Sequence, residues 1–168
     1  MQDSLRALAP VVAAFAVLFG VLWLVMDALV EGRRNPNAEV VTGGDGPRRI
    51  ALEAGPAGHY RVPGTINGER VEFLVDTGAS HVAVPGDLAD ALGLERGPEI
   101  RVVTANGTAT AYHTRIDHIA VGGIELRDVR GSINPAMGGD DVLLGMTFLR
   151  ALDFRQEGGR LILEQGAG

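Results

Sequence analysis

Phe73-Leu74-Val75-Asp76-Thr77-Gly78-Ala79-Ser80 is the stretch on which the reading of this chain turns. Three apolar residues run straight into Asp-Thr-Gly, and small residues follow. This arrangement puts a carboxylate at the end of a buried strand, on a turn that glycine permits. A carboxylate in apolar surroundings is costly unless something hydrogen-bonds or uses it. The tripeptide occurs once: Asp45 precedes Gly-Pro, Asp141 precedes Val-Leu and Asp153 precedes Phe-Arg.

Working outward, the pattern is one of short strands with turn signals between them. Residues 60–66 and 70–75 flank Asn67-Gly68, a strong hairpin signal. Residues 81–84 read as a strand, and Pro85-Gly86-Asp87 opens a brief helix over residues 88–92 that Gly93 closes. Residues 100–104 and 109–116 bracket Ala105-Asn106-Gly107-Thr108, and residues 119–121 and 124–129 bracket Gly122-Gly123. Residues 141–144 form an apolar strand ending at Gly145, residues 146–152 suit a short helix, and Glu157-Gly158-Gly159 turns a last hairpin. The expectation is an all-β domain over residues 50–166 with one or two short helices, free of internal repeats.

The bulk properties bound the function. Gly supplies 24 of the 168 residues, in keeping with many turns. A net charge of −6 argues against nucleic acid as a partner. All 15 basic residues are Arg, which reads as codon bias rather than physics. There is no Cys, so disulfides, thiolate metal sites and a Cys nucleophile are excluded. His59, His81, His113 and His118 are scattered and no H-E-x-x-H occurs, so neither a metal nor an organic cofactor is expected.

Before the β pattern, residues 7–26 carry no charge, long enough as a helix to cross a bilayer's hydrocarbon core of about 30 Å. Residues 7–30 are therefore expected to be a retained transmembrane anchor, being longer than a signal peptide's apolar region and lacking a convincing cleavage site. Residues 31–49, rich in Gly, Pro, Asn and charge, read as a flexible tether. Charge does not settle the orientation, because Arg6 lies on one side and Arg33 and Arg34 on the other.

Hydrolysis of a peptide bond by carboxylates needs two of them sharing a proton, one as base toward water and one as acid toward the carbonyl oxygen. Asp76-Thr77-Gly78-Ala79-Ser80 resembles the active-site loop of the retropepsin-like (retroviral-type, clan AA) aspartic proteases, and more closely their bacterial membrane-anchored members. The resemblance extends to Val142-Leu143-Leu144-Gly145-Met146-Thr147-Phe148-Leu149, which is similar to the family's second signature, and to Thr104-Ala105-Asn106-Gly107, which falls where the family has its flap. It spans residues 50–165. It implies a half-barrel fold, with Asp76, Thr77 and Gly78 as the catalytic loop and Leu143, Leu144 and Gly145 packed beneath it. It further implies substrate contacts from Ala79, Ser80, Thr104, Ala105, Asn106 and Gly107.

One Asp-Thr-Gly per chain means that the second carboxylate comes from another copy, in a two-fold homodimer with the site on its axis. Tethering to a membrane would raise the effective concentration of the two copies. Leu161-Ile162-Leu163 and Ile50-Ala51-Leu52 are candidates for strands interleaved between copies, or equally for core strands of one subunit. Ala79 stands where pepsin-like enzymes have Ser, which implies a pH optimum less acidic than pepsin's. The reading is a membrane-anchored homodimeric aspartic endopeptidase acting on an extended polypeptide. By the resemblance it sits in a bacterial inner membrane, with its soluble domain in the periplasm and envelope or membrane proteins as substrates. The alternative is a catalytically idle peptide-binding or dimerisation module of the same fold.

Overall fold

The computed structural model describes residues 15–23, 25–26, 35–37, 48–104 and 107–166. The chain divides into two units, Met1–Arg34 and Asn35–Gly168.

In the first unit, residues 15–23 and 25–26 are helical. Among the described residues no helix is long and apolar enough to cross a membrane. At a rise of about 1.5 Å per residue, residues 15–23 extend about 14 Å, half of the roughly 30 Å required. The remainder of the expected anchor over residues 7–30 lies outside the described residues. This corrects the expectation of a transmembrane helix preceding the domain. The membrane as partner, the inner-membrane and periplasmic placement and the tethered gain in concentration fall with it.

Among its described residues the second unit has ten strands: β1 (Arg49–Glu53), β2 (Arg61–Ile66), β3 (Glu69–Val75), β4 (Val82–Pro85), β5 (Glu99–Thr104), β6 (Gly107–Val121), β7 (Ile124–Asn134), β8 (Asp141–Leu144), β9 (Asp153–Glu157) and β10 (Arg160–Glu164). A 3₁₀ turn at Gly86–Leu88 and a one-turn helix at Met146–Leu149 complete it. The larger sheet has the order β2-β3-β8-β4-β7-β6-β5, and a further pairing of β2 with β6 closes it into a barrel. The smaller sheet is β1-β10-β9, antiparallel throughout.

Local chemistry accounts for the turns. Asn67 and Gly68 both take positive φ, at 52° and 91°, as the tight turn between β2 and β3 demands. Gly158 and Gly159 do the same between β9 and β10. Side chains alternate between buried and accessible along β1 and β2, so one face of each enters the core. Phe73, Val82, Val84, Val142, Leu144, Phe148 and Leu149, on β3, β4, β8 and the Met146–Leu149 helix, are fully buried. Each such side chain contributes about 1.5–3 kcal/mol through burial.

Two strands differ from the expectation. β6 runs unbroken through Asp117 and His118, where two strands were expected, and β7 continues to Asn134. Residues 50–52 and 161–163, read from sequence equally as interleaving or as core strands, pair with each other inside one chain, Leu161 opposite Leu52 and Leu163 opposite Ile50. Asp141, at the start of β8, is bridged by the Arg61 guanidinium at 2.6 Å, which ties β8 to β2.

Asn37, within the stretch expected as tether, is buried against the start of the barrel. Its side-chain amide donates to the carbonyls of Glu53 at 3.0 Å and Arg61 at 2.8 Å, and its side-chain oxygen accepts the Glu53 N–H at 2.8 Å. One side chain thus satisfies the end of β1 and the beginning of β2. Asn37→Ala leaves these backbone groups unpaired and is expected to cost about 1–3 kcal/mol. Urea unfolding of the full chain checks this, and an unchanged midpoint would contradict it.

Candidate active site

The site begins with two parallel strands. β3 and β8 pair with Phe73 opposite Val142, Leu74 opposite Leu143 and Val75 opposite Leu144. Asp76 and Gly145 are therefore the next residues at two strand ends lying side by side. The Asp76 N–H donates to the Leu144 carbonyl at 3.3 Å, which extends the ladder by one bond. From there the chain turns sharply. The Ala79 N–H donates to the Asp76 carbonyl at 3.3 Å, and the Gly78 N–H donates to Asp76 Oδ1 at 2.8 Å. The carboxylate is thus oriented by its own loop.

Gly145 locks this loop from behind. A Cβ at Gly145 would lie 2.1 Å from the His81 carbonyl oxygen and 2.7 Å from that of Ala79. The Met146 N–H donates to the Ala79 carbonyl at 2.8 Å. Close approach of backbone to backbone, rather than an unusual φ, is what requires glycine there. Thr147 adds a second tie: its hydroxyl accepts the Val82 N–H at 3.0 Å and donates to the Arg130 carbonyl at 2.7 Å. β4, β7 and the Met146–Leu149 helix are thereby joined just behind the loop. Thr147 was not singled out from sequence, because nothing local shows that a hydroxyl serves two distant strands.

Asp76 and Thr77 line a cavity of about 450 Å³ with Val75, Tyr60, Phe154 and Gln156 among its walls. Gln156 donates to the Tyr60 hydroxyl at 3.0 Å, coupling the smaller sheet to the residues before β2. Arg155 also lines the cavity, but its guanidinium is engaged by Glu157 at 3.6 Å and Glu164 at 3.4 Å. These walls were not anticipated, since β9 meets β3 only through tertiary packing.

The expected site residues fall into two groups. Asp76, Thr77, Gly78, Ala79 and Ser80 form one loop, with Leu143, Leu144 and Gly145 beside or beneath it. Thr77 and Ser80 are exposed, and neither side chain has a hydrogen-bond partner among the described residues. Thr104 and Gly107 stand on the β5–β6 hairpin, where the Thr104 hydroxyl donates to the Gly107 carbonyl at 2.8 Å. Ala105 and Asn106 lie outside the described residues. The hairpin contributes no described residue to the Asp76 cavity.

His81 ends the loop. Its ring meets His113 edge-on, with centroids 5.7 Å apart. Burial holds the His81 imidazole below its ordinary pKa, and the nearby His113 and Arg130 push the same way. No group of three or more His, Asp or Glu side chains able to hold a metal occurs among the described residues.

A closed barrel whose Asp-Thr-Gly loop is seated on a Leu-Leu-Gly strand end is the fold of the retropepsin-like aspartic proteases. The sequence profile of the family described as "gag-polyprotein putative aspartyl protease" matches residues 62–151, just over half of the chain. The chain belongs to that family. A retropepsin-like aspartic protease from Rickettsia conorii superposes with a TM-score of 0.59 at 26% identity, covering 76% of this chain and 95% of that one. Two uncharacterised proteins are also similar. One, encoded in the cobV 5′ region of a Sinorhizobium species, is 31% identical over 79% of this chain and 56% of its own length. The other, RP867 of Rickettsia prowazekii, is 32% identical over 63% of this chain and 47% of its own. The chain thus spans about half the length of the curated relatives it matches.

Gly145→Ala tests the seating of the loop. The added methyl group meets backbone that cannot swing aside, so about 1–3 kcal/mol of stability is expected to be lost. Thermal unfolding of the full chain measures it; an unaltered Tm would show that the loop does not depend on this contact.

Proposed function

We propose that the chain is an aspartic endopeptidase that works as a homodimer, with residues 50–166 as its protease domain and Asp76 from each of two copies forming the catalytic pair. The observation that carries this reading is the Asp76 loop itself. A carboxylate oriented by the Gly78 N–H stands at a cavity, beside an exposed Thr77 whose side chain has no hydrogen-bond partner among the described residues. Family membership and the likeness to the Rickettsia conorii protease support it.

In this mechanism the two carboxylates share one proton. Close approach makes double ionisation unfavourable, so one stays protonated while the other is charged. The charged one draws a proton from a water, and that water attacks the peptide carbonyl carbon. The protonated one gives its proton to the carbonyl oxygen and so stabilises the tetrahedral intermediate. A proton then passes to the leaving nitrogen as the carbon–nitrogen bond breaks. Thr77 from each copy would donate across to the facing loop and hold the carboxylates together.

The smaller sheet suits a dimer interface. β9 is one of its two edge strands, is exposed along its whole length, and supplies Phe154 and Gln156 to the wall of the Asp76 cavity. An uncovered strand edge beside the site is a template for pairing with a second copy. The substrate would lie extended between the Asp76 loops and the hairpins, contacted by Ala79, Ser80, Thr104, Ala105, Asn106 and Gly107.

A comparison of the full chain with Asp76→Asn on a peptide library from pH 3 to 8 tests this. Wild type is expected to cleave, with a maximum above pH 3 because Ala79 supplies no hydroxyl to the carboxylate. The variant is expected to lose at least about a thousandfold in kcat/KM. Equal cleavage by both would overturn the reading. Absence of cleavage by a folded dimer would favour the idle peptide-binding module.

A further inference from the structure

The two edges of the smaller sheet are not alike. The Gln165 N–H donates to the Arg48 carbonyl at 2.8 Å. Alternation along β10 therefore turns the backbone groups of Leu161 and Leu163 toward β1, and those of Arg160, Ile162 and Glu164 toward β9. On β1 the Glu53 groups then face outward, and the Asn37 side chain meets both of them. On β9 the outward groups are those of Phe154 and Gln156, and none of the described residues meets them. Phe154 is also a large apolar side chain left 39% exposed on this open edge.

The charges of β9 are unbalanced within one chain. Asp153 stands directly opposite Glu164 and has no ion-pair partner among the described residues. Like charges facing each other across a ladder are unfavourable. Arg155 reaches Glu157 through Nε and Glu164 through one terminal nitrogen, so its other terminal nitrogen is unengaged among the described residues. A cation brought to Asp153 from another chain would relieve the imbalance.

Facing residues of a sheet point to the same side, so two β9 strands related by a two-fold axis place one residue opposite its own copy. The five residues of β9 give five such antiparallel registers, and the charges separate them. With Asp153 or Glu157 on the axis, acid faces acid. With Arg155 there, Arg155 faces its copy and Asp153 faces Glu157. With Gln156 there, Arg155 faces Glu157, but Asp153 gains no cation and Phe154 faces Gly158 in the turn. With Phe154 there, each Asp153 faces Arg155 of the other copy and the two exposed rings meet.

Resting on the dimeric reading above, we propose that two copies join edge to edge through β9 in this last register, with Phe154 opposite Phe154 and Asp153 of each copy opposite Arg155 of the other. Phe154 lines the cavity that holds Asp76, so the walls of both cavities come together at the axis.

Sedimentation equilibrium of the full chain reads the association. Asp153→Lys and Arg155→Glu each set like charges opposite at two places, and each is expected to weaken the dimer about tenfold. An equimolar mixture of the two is expected to return to near wild-type association, because each variant supplies the charge that the other lacks. Asp153→Lys would strengthen the dimer in the register centred on Arg155 and leave it unaltered in that centred on Gln156; either result overturns the proposal. A second arm uses the absence of Cys, since a single introduced thiol can couple only to its own copy. At the axis the two Cα atoms stand about 5.5 Å apart, within disulfide reach, whereas one residue to either side they are about 8 Å apart and out of reach. Mild oxidation is expected to link Phe154→Cys and to leave Asp153→Cys, Arg155→Cys and Gln156→Cys unlinked. Coupling at another position of β9, coupling at none, or a wild type that stays monomeric at every concentration overturns the proposal. Both arms are read without substrate, so cleavage that is absent or indifferent to Asp76→Asn is a separate result, which counts against the protease reading alone.

Discussion

The site depends on the contact between Gly145 and the loop from Asp76 to His81. Two parallel strand ends lie side by side there, and the loop folds back over the second of them. Backbone carbonyls approach Gly145 so closely that no side chain fits between. The Met146 N–H and the Thr147 hydroxyl then bind what the absence of a Cβ has allowed to come near. Within the seated turn the Gly78 N–H holds Asp76 Oδ1 at 2.8 Å. Fixing a reactive group on the ends of packed strands in this way suits chemistry that needs its position defined within fractions of an ångström.

The remainder of the barrel supports that contact at a distance. Phe73, Val142 and Leu144 pack beneath the loop with no exposure at all. Arg61 reaches across β3 to Asp141 and holds the entry of β8 in line. Asn37 ties the smaller sheet to the first barrel strand through three hydrogen bonds. The smaller sheet in turn presents its edge strand next to the Asp76 cavity. An oriented carboxylate, an exposed Thr77 and residues of an open strand edge thus border one cavity.

Much of the fold was legible because its signals are local. Asn67-Gly68 and Gly158-Gly159 mark turns whose positive φ values few other residues tolerate, and the hairpins follow from them. Asp76-Thr77-Gly78 and Leu143-Leu144-Gly145 were found through the family resemblance, and their adjacency is a matter of register that short-range patterns do not carry. Asp117 and His118 read as a break because they are polar, yet the β6–β7 ladder resumes at His118, opposite Arg127, with Asp128 at positive φ on the facing strand. Asn37, Thr147 and Arg130 act on residues far away in the chain, so nothing in their neighbourhood announced them. The apolar stretch over residues 7–30 misled in another way. Composition alone satisfied the length rule for a membrane span, while the described helical residues fall short of it.

On the proposed reading, one working site needs Asp76 from two chains. Mixing experiments address it most directly. Wild-type chain is held at a fixed concentration, increasing amounts of Asp76→Asn chain are added, the subunits are allowed to exchange, and peptide cleavage is followed. Activity is expected to fall toward zero as mixed dimers replace wild-type ones, because each mixed dimer carries a single Asp76 and no partner carboxylate for it. Activity that stays constant while mixed dimers demonstrably form would contradict it, and would place the whole reaction within one chain.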